Sequence, residues 1–125
     1  MEPKHEKQLV WIGGSREDIR DFPEDVKDVI GYALYLAQKG GKHLAAKPLK
    51  GFKGAGVLEV VDDYKGNTYR AVYTVNYIEV VYVLHAFQKK SKKGIETPKQ
   101  EIDLIKARLQ RAIDHYHAMF NKEKR

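Results

Sequence analysis

The 125-residue sequence predicts an α+β fold in a single domain, residues 1–125. Two amphipathic helical patterns flank a central run of short strand-like segments, and no internal repeat or linker divides the chain. Hydrophobic residues make up 42% of the sequence, which supplies one core at this length. We therefore expect a twisted, mainly antiparallel sheet of four strands, packed by an N-terminal helical segment and a C-terminal helix. Residues 1–7 and 121–125 are expected to be flexible.

The first predicted element is a short strand at residues 8–12. These residues are mostly apolar, and the pair Gly13-Gly14 follows them, as is common where a strand ends. Ser15 comes next and is of the residue type that caps helices, so a short helical turn is predicted to begin there.

A longer helix is predicted after this turn. Pro23 suits its first turn, because the N–H that proline lacks would be unpaired at that position. Gly40-Gly41 is predicted to end it. The apolar residues between these points recur every three or four positions and form one face: Val26, Val29, Ile30, Ala33, Leu34 and Ala37.

The centre of the chain is predicted to be a loop followed by three strands. Residues 42–56 are basic and rich in glycine, which favours a loop. The strands are predicted at residues 57–62, 68–75 and 78–86. The last strand is apolar at both odd and even positions, so we expect it to be buried on both faces and central in the sheet.

The last predicted element is a helix. Thr97 and Gln100 have the spacing of a capping box, and Pro98 stands at the first helical position. An apolar face then predicts a helix that continues to about Phe120.

The charges of the chain are unevenly distributed. The net charge is +6 at pH 7, yet residues 1–28 hold eight acidic and five basic residues. Residues 29–58 and 80–95 contain no acidic residue at all. Their lysines are Lys39, Lys42, Lys47, Lys50, Lys53, Lys89, Lys90, Lys92 and Lys93. A basic centre of this kind favours nucleic acid, RNA first, as the partner; a solvated lysine surface is the alternative.

Several classes of function are disfavoured by composition. No apolar run approaches the roughly 20 residues that cross a bilayer, so no membrane contact is expected. The first seven residues are polar and charged, which predicts no signal peptide and a cytoplasmic location. The chain has no cysteine, which excludes disulfides and thiolate metal sites. Its histidines do not combine with carboxylates at metal-ligand spacing, so we expect neither a metal nor another cofactor.

Two residues in the predicted strands are candidates for chemistry. Arg70 lies inside a strand, where a rigid sheet can hold a guanidinium still for phosphate binding. The alternative is a cross-strand ion pair with Glu59 or Glu79. His85 lies near the end of the central strand, and its ordinary pKa suits proton transfer near neutral pH; a hydrogen-bonded structural histidine is the alternative.

The residues around His85 and in the predicted loop are candidates for RNA contact. Phe87 is placed either to stack on an unpaired base or to cover the core. Lys47, Lys50 and Lys53 are candidates for a phosphate track, because no carboxylate is interleaved with them.

Three segments carry a family resemblance that extends over about residues 8–116. They are Lys47-Pro48-Leu49-Lys50-Gly51, Tyr69-Arg70-Ala71-Val72-Tyr73 and Leu84-His85-Ala86-Phe87-Gln88-Lys89-Lys90, with Thr97-Pro98 at the start of the last helix. In these segments the chain resembles the phage-derived, HigB-like branch of the RelE/ParE toxin superfamily. The resemblance implies a RelE-like fold and the toxin of a type II toxin–antitoxin pair.

The resemblance also implies a mechanism and partners. Toxins of this kind cut messenger RNA, generally in the ribosomal A site, without a metal, by attack of a ribose 2′-hydroxyl on the adjacent phosphate. The implied partners are messenger RNA, the ribosome and a separately encoded helix-turn-helix antitoxin. A ParE-like inhibitor of DNA gyrase and a relic that binds RNA without cutting it are the alternatives.

The resemblance assigns roles to individual residues. Arg70 matches the strand arginine that stabilises phosphate charge, while His85, Lys89 and Lys90 occupy the region where typical members carry an arginine and a tyrosine. We therefore expect catalysis from these four, with His85 for proton transfer and one of the two lysines beside Arg70 for charge stabilisation. The residues expected to contact RNA are Lys47, Lys50, Lys53, Phe87, Lys92 and Lys93.

Overall fold

A computed structural model describes residues 6–89 and 96–120. Within these ranges the elements follow one another as β1 (Gln8–Trp11), α1 (Ser15–Arg20), α2 (Glu24–Gln38), β2 (Ala46–Pro48), β3 (Val57–Tyr64), β4 (Asn67–Thr74), β5 (Val80–Lys89) and α3 (Lys99–Phe120). The ends of the chain that were expected to be flexible lie largely outside the described residues.

The strands form one sheet in the order β1-β5-β4-β3-β2. β1 runs parallel to β5, and the other neighbours are antiparallel. The α+β prediction is therefore confirmed, and β5 lies between two strands, as its apolar pattern indicated. Both faces of β5 are buried from Val80 to Ala86, because helices pack on each side of the sheet.

The predicted strand count of four is wrong, because β2 lies within the predicted loop. β2 is only three residues long and pairs with β3, with Lys47 opposite Glu59. A strand at the edge of a sheet tolerates Pro48, because one side of its backbone has no partner strand. Such a short edge strand has no periodicity of its own, and its pairing comes from the neighbouring strand.

The end of β5 also differs from the prediction. The strand continues to Lys89 rather than ending at residue 86, because β4 supplies partners as far as the pair Thr68 and Lys89. The first lysine of the basic cluster therefore belongs to the sheet.

Both predicted capping residues have other partners in the structure. The residue before α1 is Gly14, and the Ser15 hydroxyl donates a buried hydrogen bond to the carbonyl oxygen of Val83, 3.1 Å away. α3 begins at Lys99, and the hydroxyl of Thr97 binds side chains of the sheet described below. α2 begins at Glu24, so Pro23 is its N-cap residue rather than part of its first turn.

The helices cover opposite faces of the sheet. One core joins α2 to the face that carries Val60, Ala71 and Val83. The second core joins α3 to the face that carries Val72 and Leu84. The candidate site lies on this second face, which we call the α3 face.

Candidate active site

A β-bulge in β5 decides which side chains share the α3 face. Tyr73 pairs with Val83 but the next residue back, Val72, pairs with His85, so Leu84 is an extra residue without a partner. An extra residue reverses the alternation of side chains beyond it. His85, Phe87 and Lys89 therefore lie on the α3 face, whereas uninterrupted alternation from Leu84 would direct them to the α2 side.

The register then aligns the candidate residues in rows across the sheet. Lys47 lies opposite Glu59, Glu59 opposite Val72, and Val72 opposite His85. In the neighbouring row, Arg70 lies between Val61 and Phe87. Directly opposite side chains share one face of a sheet. Residues from four strands thus reach one surface.

Arg70 forms the centre of a buried polar group. Its Nη1 donates to both carboxylate oxygens of Glu59, at 3.4 Å each, and to the hydroxyl oxygen of Thr97 at 3.2 Å. The Thr97 hydroxyl in turn donates to Oε2 of Glu59 at 2.7 Å. Only 5% of Arg70 is exposed. The ion pair with Glu59 that the sequence offered as an alternative is present, and it is buried rather than on the surface.

This polar group lies at a pocket of about 690 Å³. Arg70, Glu59 and Thr97 line it together with Ile102 of α3. Its other lining residues are Ala45, Lys47, Pro48, Leu49, Lys50, Gly51, Val61 and Glu96. The pocket is therefore bounded by the sheet, by β2 with the loop after it, and by the residues that lead into α3.

An exposed ion pair joins two sides of the pocket. Nζ of Lys50 lies 2.9 Å from Oε2 of Glu96. The hydrogen bond and the charge of Glu96 raise the pKa of Lys50, and those of Lys50 lower the pKa of Glu96. Both groups therefore stay ionised near neutral pH. Because the Glu96 carboxylate already binds the Lys50 ammonium, an incoming phosphate must compete with Glu96 for it.

His85 belongs to a second polar group, beneath α3. Its Nε2 lies 2.6 Å from Oε1 of Glu101, and Nη1 of Arg108 donates to its Nδ1 at 3.2 Å and to the carbonyl oxygen of Leu84 at 3.0 Å. A guanidinium can only donate hydrogen bonds, so Nδ1 is the acceptor and Nε2 carries the proton. His85 is therefore arranged as a hydrogen-bond donor through Nε2–H, and both ring nitrogens are engaged.

The remaining predicted site residues divide into three sets. Phe87 is half-buried and stacks on the His85 ring, with centroids 5.1 Å apart. Lys89 ends β5, and Lys53 is exposed in the loop after β2. Lys90, Lys92 and Lys93 lie outside the described residues.

Sequence reasoning missed Glu101 and Arg108, and it assigned Thr97 to the helix cap. Glu101 and Arg108 are seven residues apart, two helical turns, and so lie on one side of α3. This spacing, beside the apolar face of α3, was the feature of the sequence that could have indicated a shared site. The spacing does not show which strand lies beneath the helix. The contact of these two side chains with His85 depends on that strand.

Among residues 6–89 and 96–120, no group of three or more acidic or histidine side chains is arranged to hold a metal ion. In the same part of the chain, no helix is long and apolar enough to span a membrane.

Comparison with known proteins identifies one family. Residues 17–110 match the model of the family described as "Phage derived protein Gp49-like (DUF891)". A similar solved structure is that of the toxin-antitoxin complex RelBE2 (Rv2865-2866) from Mycobacterium tuberculosis, with 16% identity and a TM-score of 0.45 over 73% of this chain and 100% of that chain. At that identity and TM-score, the likeness carries no conclusion about function. No curated protein matches the sequence.

Proposed function

Because the chain belongs to the phage-derived Gp49-like family, a family of RelE/HigB-like toxins, we propose that it is the toxin of a type II toxin–antitoxin pair and an endoribonuclease that cuts messenger RNA. The family match covers three quarters of the chain, including Arg70, His85 and the pocket. The proposed partners are messenger RNA, the ribosome, on which cleavage depends, and a helix-turn-helix antitoxin.

The observation that carries the proposal is the pocket with Arg70 in its lining. Its volume, about 690 Å³, lies within the range typical of small-molecule sites and accommodates a nucleotide. Its lining carries three positive charges, on Arg70, Lys47 and Lys50, and two negative charges, on Glu59 and Glu96, so the pocket has a net positive charge. A guanidinium held by a sheet is suited to bind two phosphate oxygens at once.

The proposed reaction is attack of a ribose 2′-hydroxyl on the adjacent phosphorus. The new 2′-oxygen–phosphorus bond forms while the bond to the 5′-oxygen breaks, which leaves a 2′,3′-cyclic phosphate and a free 5′-hydroxyl. The phosphate gains negative charge on the way, and preorganised cations stabilise this charge more than that of the substrate. Arg70 provides this stabilisation in our proposal.

Glu59 is the proposed acceptor of the 2′-hydroxyl proton. Its carboxylate lines the pocket and already binds the Arg70 guanidinium, so a phosphate on Arg70 brings the ribose hydroxyl close to it. Lys89 then supplies the proton that the leaving 5′-oxygen takes up, since it lies two residues after Phe87, the cross-strand neighbour of Arg70, on the same face of the sheet.

His85 receives a different task from the proton transfer expected from sequence. Both of its ring nitrogens are engaged, and the proton is on Nε2. We propose that this N–H donates a hydrogen bond to a phosphate oxygen, which takes the place of the Glu101 carboxylate. Glu59 and His85 lie in one row with one strand between them, hence about 10 Å apart along the sheet. His85 is not among the residues that line the pocket, so a phosphate bound to Arg70 reaches this N–H only when Glu101 moves aside.

The test is cleavage of messenger RNA in a cell-free translation reaction, with the 3′ ends mapped. The purified protein is expected to create new ends at in-frame positions. Arg70→Lys keeps a charge beside Glu59 but loses the planar fork, so cleavage should fall by about 100-fold or more. Arg111→Lys, an exposed position on α3, is the matched control and should cleave normally.

Arg70→Ala is a poorer variant, because a Glu59 carboxylate left buried without its partner costs about 3–5 kcal/mol. Intact messenger with undiminished translation would overturn the nuclease proposal. Inhibition of DNA supercoiling by gyrase would then support the ParE-like alternative. Full cleavage by a folded Arg70→Lys variant would remove Arg70 from the mechanism.

A further inference from the structure

Arg108 contacts His85 from the side opposite Glu101, and it is absent from the residues that line the pocket. We propose that Arg108 is a positioning residue, which holds the Nδ1 of His85 as an acceptor and so keeps the proton on Nε2. The inference rests on the proposed function, because it gives that N–H its task of binding a phosphate oxygen.

The contacts of Arg108 fix both the ring and the backbone that carries it. One nitrogen, Nη1, donates to Nδ1 of His85 at 3.2 Å and to the carbonyl oxygen of Leu84 at 3.0 Å. Leu84 is the extra residue of the bulge, which is the feature that directs His85 toward α3. Arg108 therefore binds the bulge and the histidine that the bulge redirects.

Gly13 provides the surface against which the guanidinium lies. A Cβ atom added at Gly13 would be 2.6 Å from Nε, 2.7 Å from Cζ and 2.8 Å from Nη2 of Arg108. Gly13 also has a φ of +60°, a conformation that other residues rarely adopt. A glycine that marks the end of β1 thus also leaves room for the planar group that contacts His85.

The chemical consequence concerns the two tautomers of neutral imidazole. With a donor at Nδ1, the tautomer with Nδ1–H is excluded, because two N–H groups would face each other. Without that donor, the Glu101 carboxylate, 2.6 Å from Nε2, still favours the Nε2–H form, and both tautomers become accessible only when this carboxylate is also removed or displaced. Arg108 should therefore affect the turnover rate and leave RNA affinity unchanged, since it acts only through the N–H of His85, whose hydrogen bond strengthens as the phosphate gains charge.

The test combines NMR and kinetics on the full chain. Nitrogen chemical shifts of His85 report directly which ring nitrogen carries the proton. The shifts are read in a Glu101→Ala background, because that carboxylate also favours Nε2–H. In this background we expect the Nε2–H form alone when Arg108 is present, and a mixture of both forms in Arg108→Met. With messenger RNA on ribosomes as the substrate, kcat of Arg108→Met should fall by about 10- to 100-fold at unchanged KM. Arg108→Lys retains a donor and should restore the tautomer at least in part.

Matched variants separate this effect from loss of folding. Arg111→Met removes an exposed arginine one turn along α3 and should change neither the tautomer nor kcat. Gly13→Ala keeps Arg108 but displaces its guanidinium, so it should resemble Arg108→Met in both measurements. If Arg108→Met fails to fold, Arg108→Lys and Gly13→Ala still decide the question.

Two outcomes distinguish this inference from the proposed function. A pure Nε2–H tautomer with wild-type kcat in folded Arg108→Met and Gly13→Ala would overturn the positioning role, while cleavage itself stands. An absence of cleavage by the wild type would overturn the proposed function instead, and the NMR measurement would still show whether Arg108 sets the tautomer.

Discussion

At the scale of single residues, two fully buried tyrosines differ in what their hydroxyl groups contact. The hydroxyl of Tyr82 lies 2.7 Å from Nδ1 of His115. The hydroxyl of Tyr73 has no hydrogen-bond partner among the described residues. Burial raises the pKa of each to about 12, so both are neutral at ordinary pH. A buried hydroxyl without a partner destabilises the fold, whereas a paired one does not.

We therefore expect Tyr73→Phe to raise the free energy of unfolding by about 1 kcal/mol, because it removes an unpaired polar group and keeps the ring. Tyr82→Phe is the matched comparison and should lower the free energy of unfolding by about 1 kcal/mol. Urea unfolding followed by circular dichroism measures both. A clear loss of stability in Tyr73→Phe would mean that its hydroxyl has a partner in solution.

At the scale of elements, the bulge in β5 and the packing of α3 assemble the second polar group. The bulge brings His85 to the α3 face, and α3 brings Glu101 and Arg108 over it. Ile105, between these two on the helix, is fully buried in the core beneath α3. The position of both side chains above His85 thus depends on this packing.

Ile105→Ala should lower the free energy of unfolding by about 2–5 kcal/mol, because it leaves a cavity between α3 and the sheet. The neighbouring Leu104 is 36% exposed, so Leu104→Ala should cost clearly less than Ile105→Ala. Denaturant unfolding of both variants gives the comparison. Equal small losses would show that α3 is not firmly packed and would weaken the account of the His85 group.

At the scale of the whole molecule, the distribution of charge should govern association with RNA. Lys47 and Lys50 line the pocket, whereas Lys39 directly follows α2, the helix on the other face of the sheet. Each phosphate that a lysine neutralises releases counterions from the strand. Binding should therefore weaken steeply as salt increases.

The measurement is the affinity for a non-cleavable RNA oligomer, by fluorescence anisotropy, between about 50 and 200 mM salt. Lys47→Gln and Lys50→Gln should each reduce the slope of log affinity against log salt by about 0.7, the value for one phosphate contact on a single strand. Lys39→Gln is the control and should leave the slope unchanged. Binding that is insensitive to salt would contradict the electrostatic account.

The sequence determined most of the elements and the chemical character of the site. Periodicity identified both long helices and the three long central strands, since an apolar pattern reports directly which side chains are buried. It also identified β5 as central and Arg70 as a strand residue. The family resemblance, carried by short segments around these residues, is confirmed by the Gp49-like match.

The tertiary structure alone decided which of these residues meet. β2 exists because β3 offers it a partner, and the bulge that turns His85 toward α3 appears only in the pairing of β5 with β4. Thr97 binds Arg70 and Glu59, although its sequence context predicts a helix cap. Hydrophobic periodicity along a helix or strand indicates which of its own residues are buried. Register, bulges and contacts between distant side chains depend on the neighbouring element, which no single segment of sequence encodes.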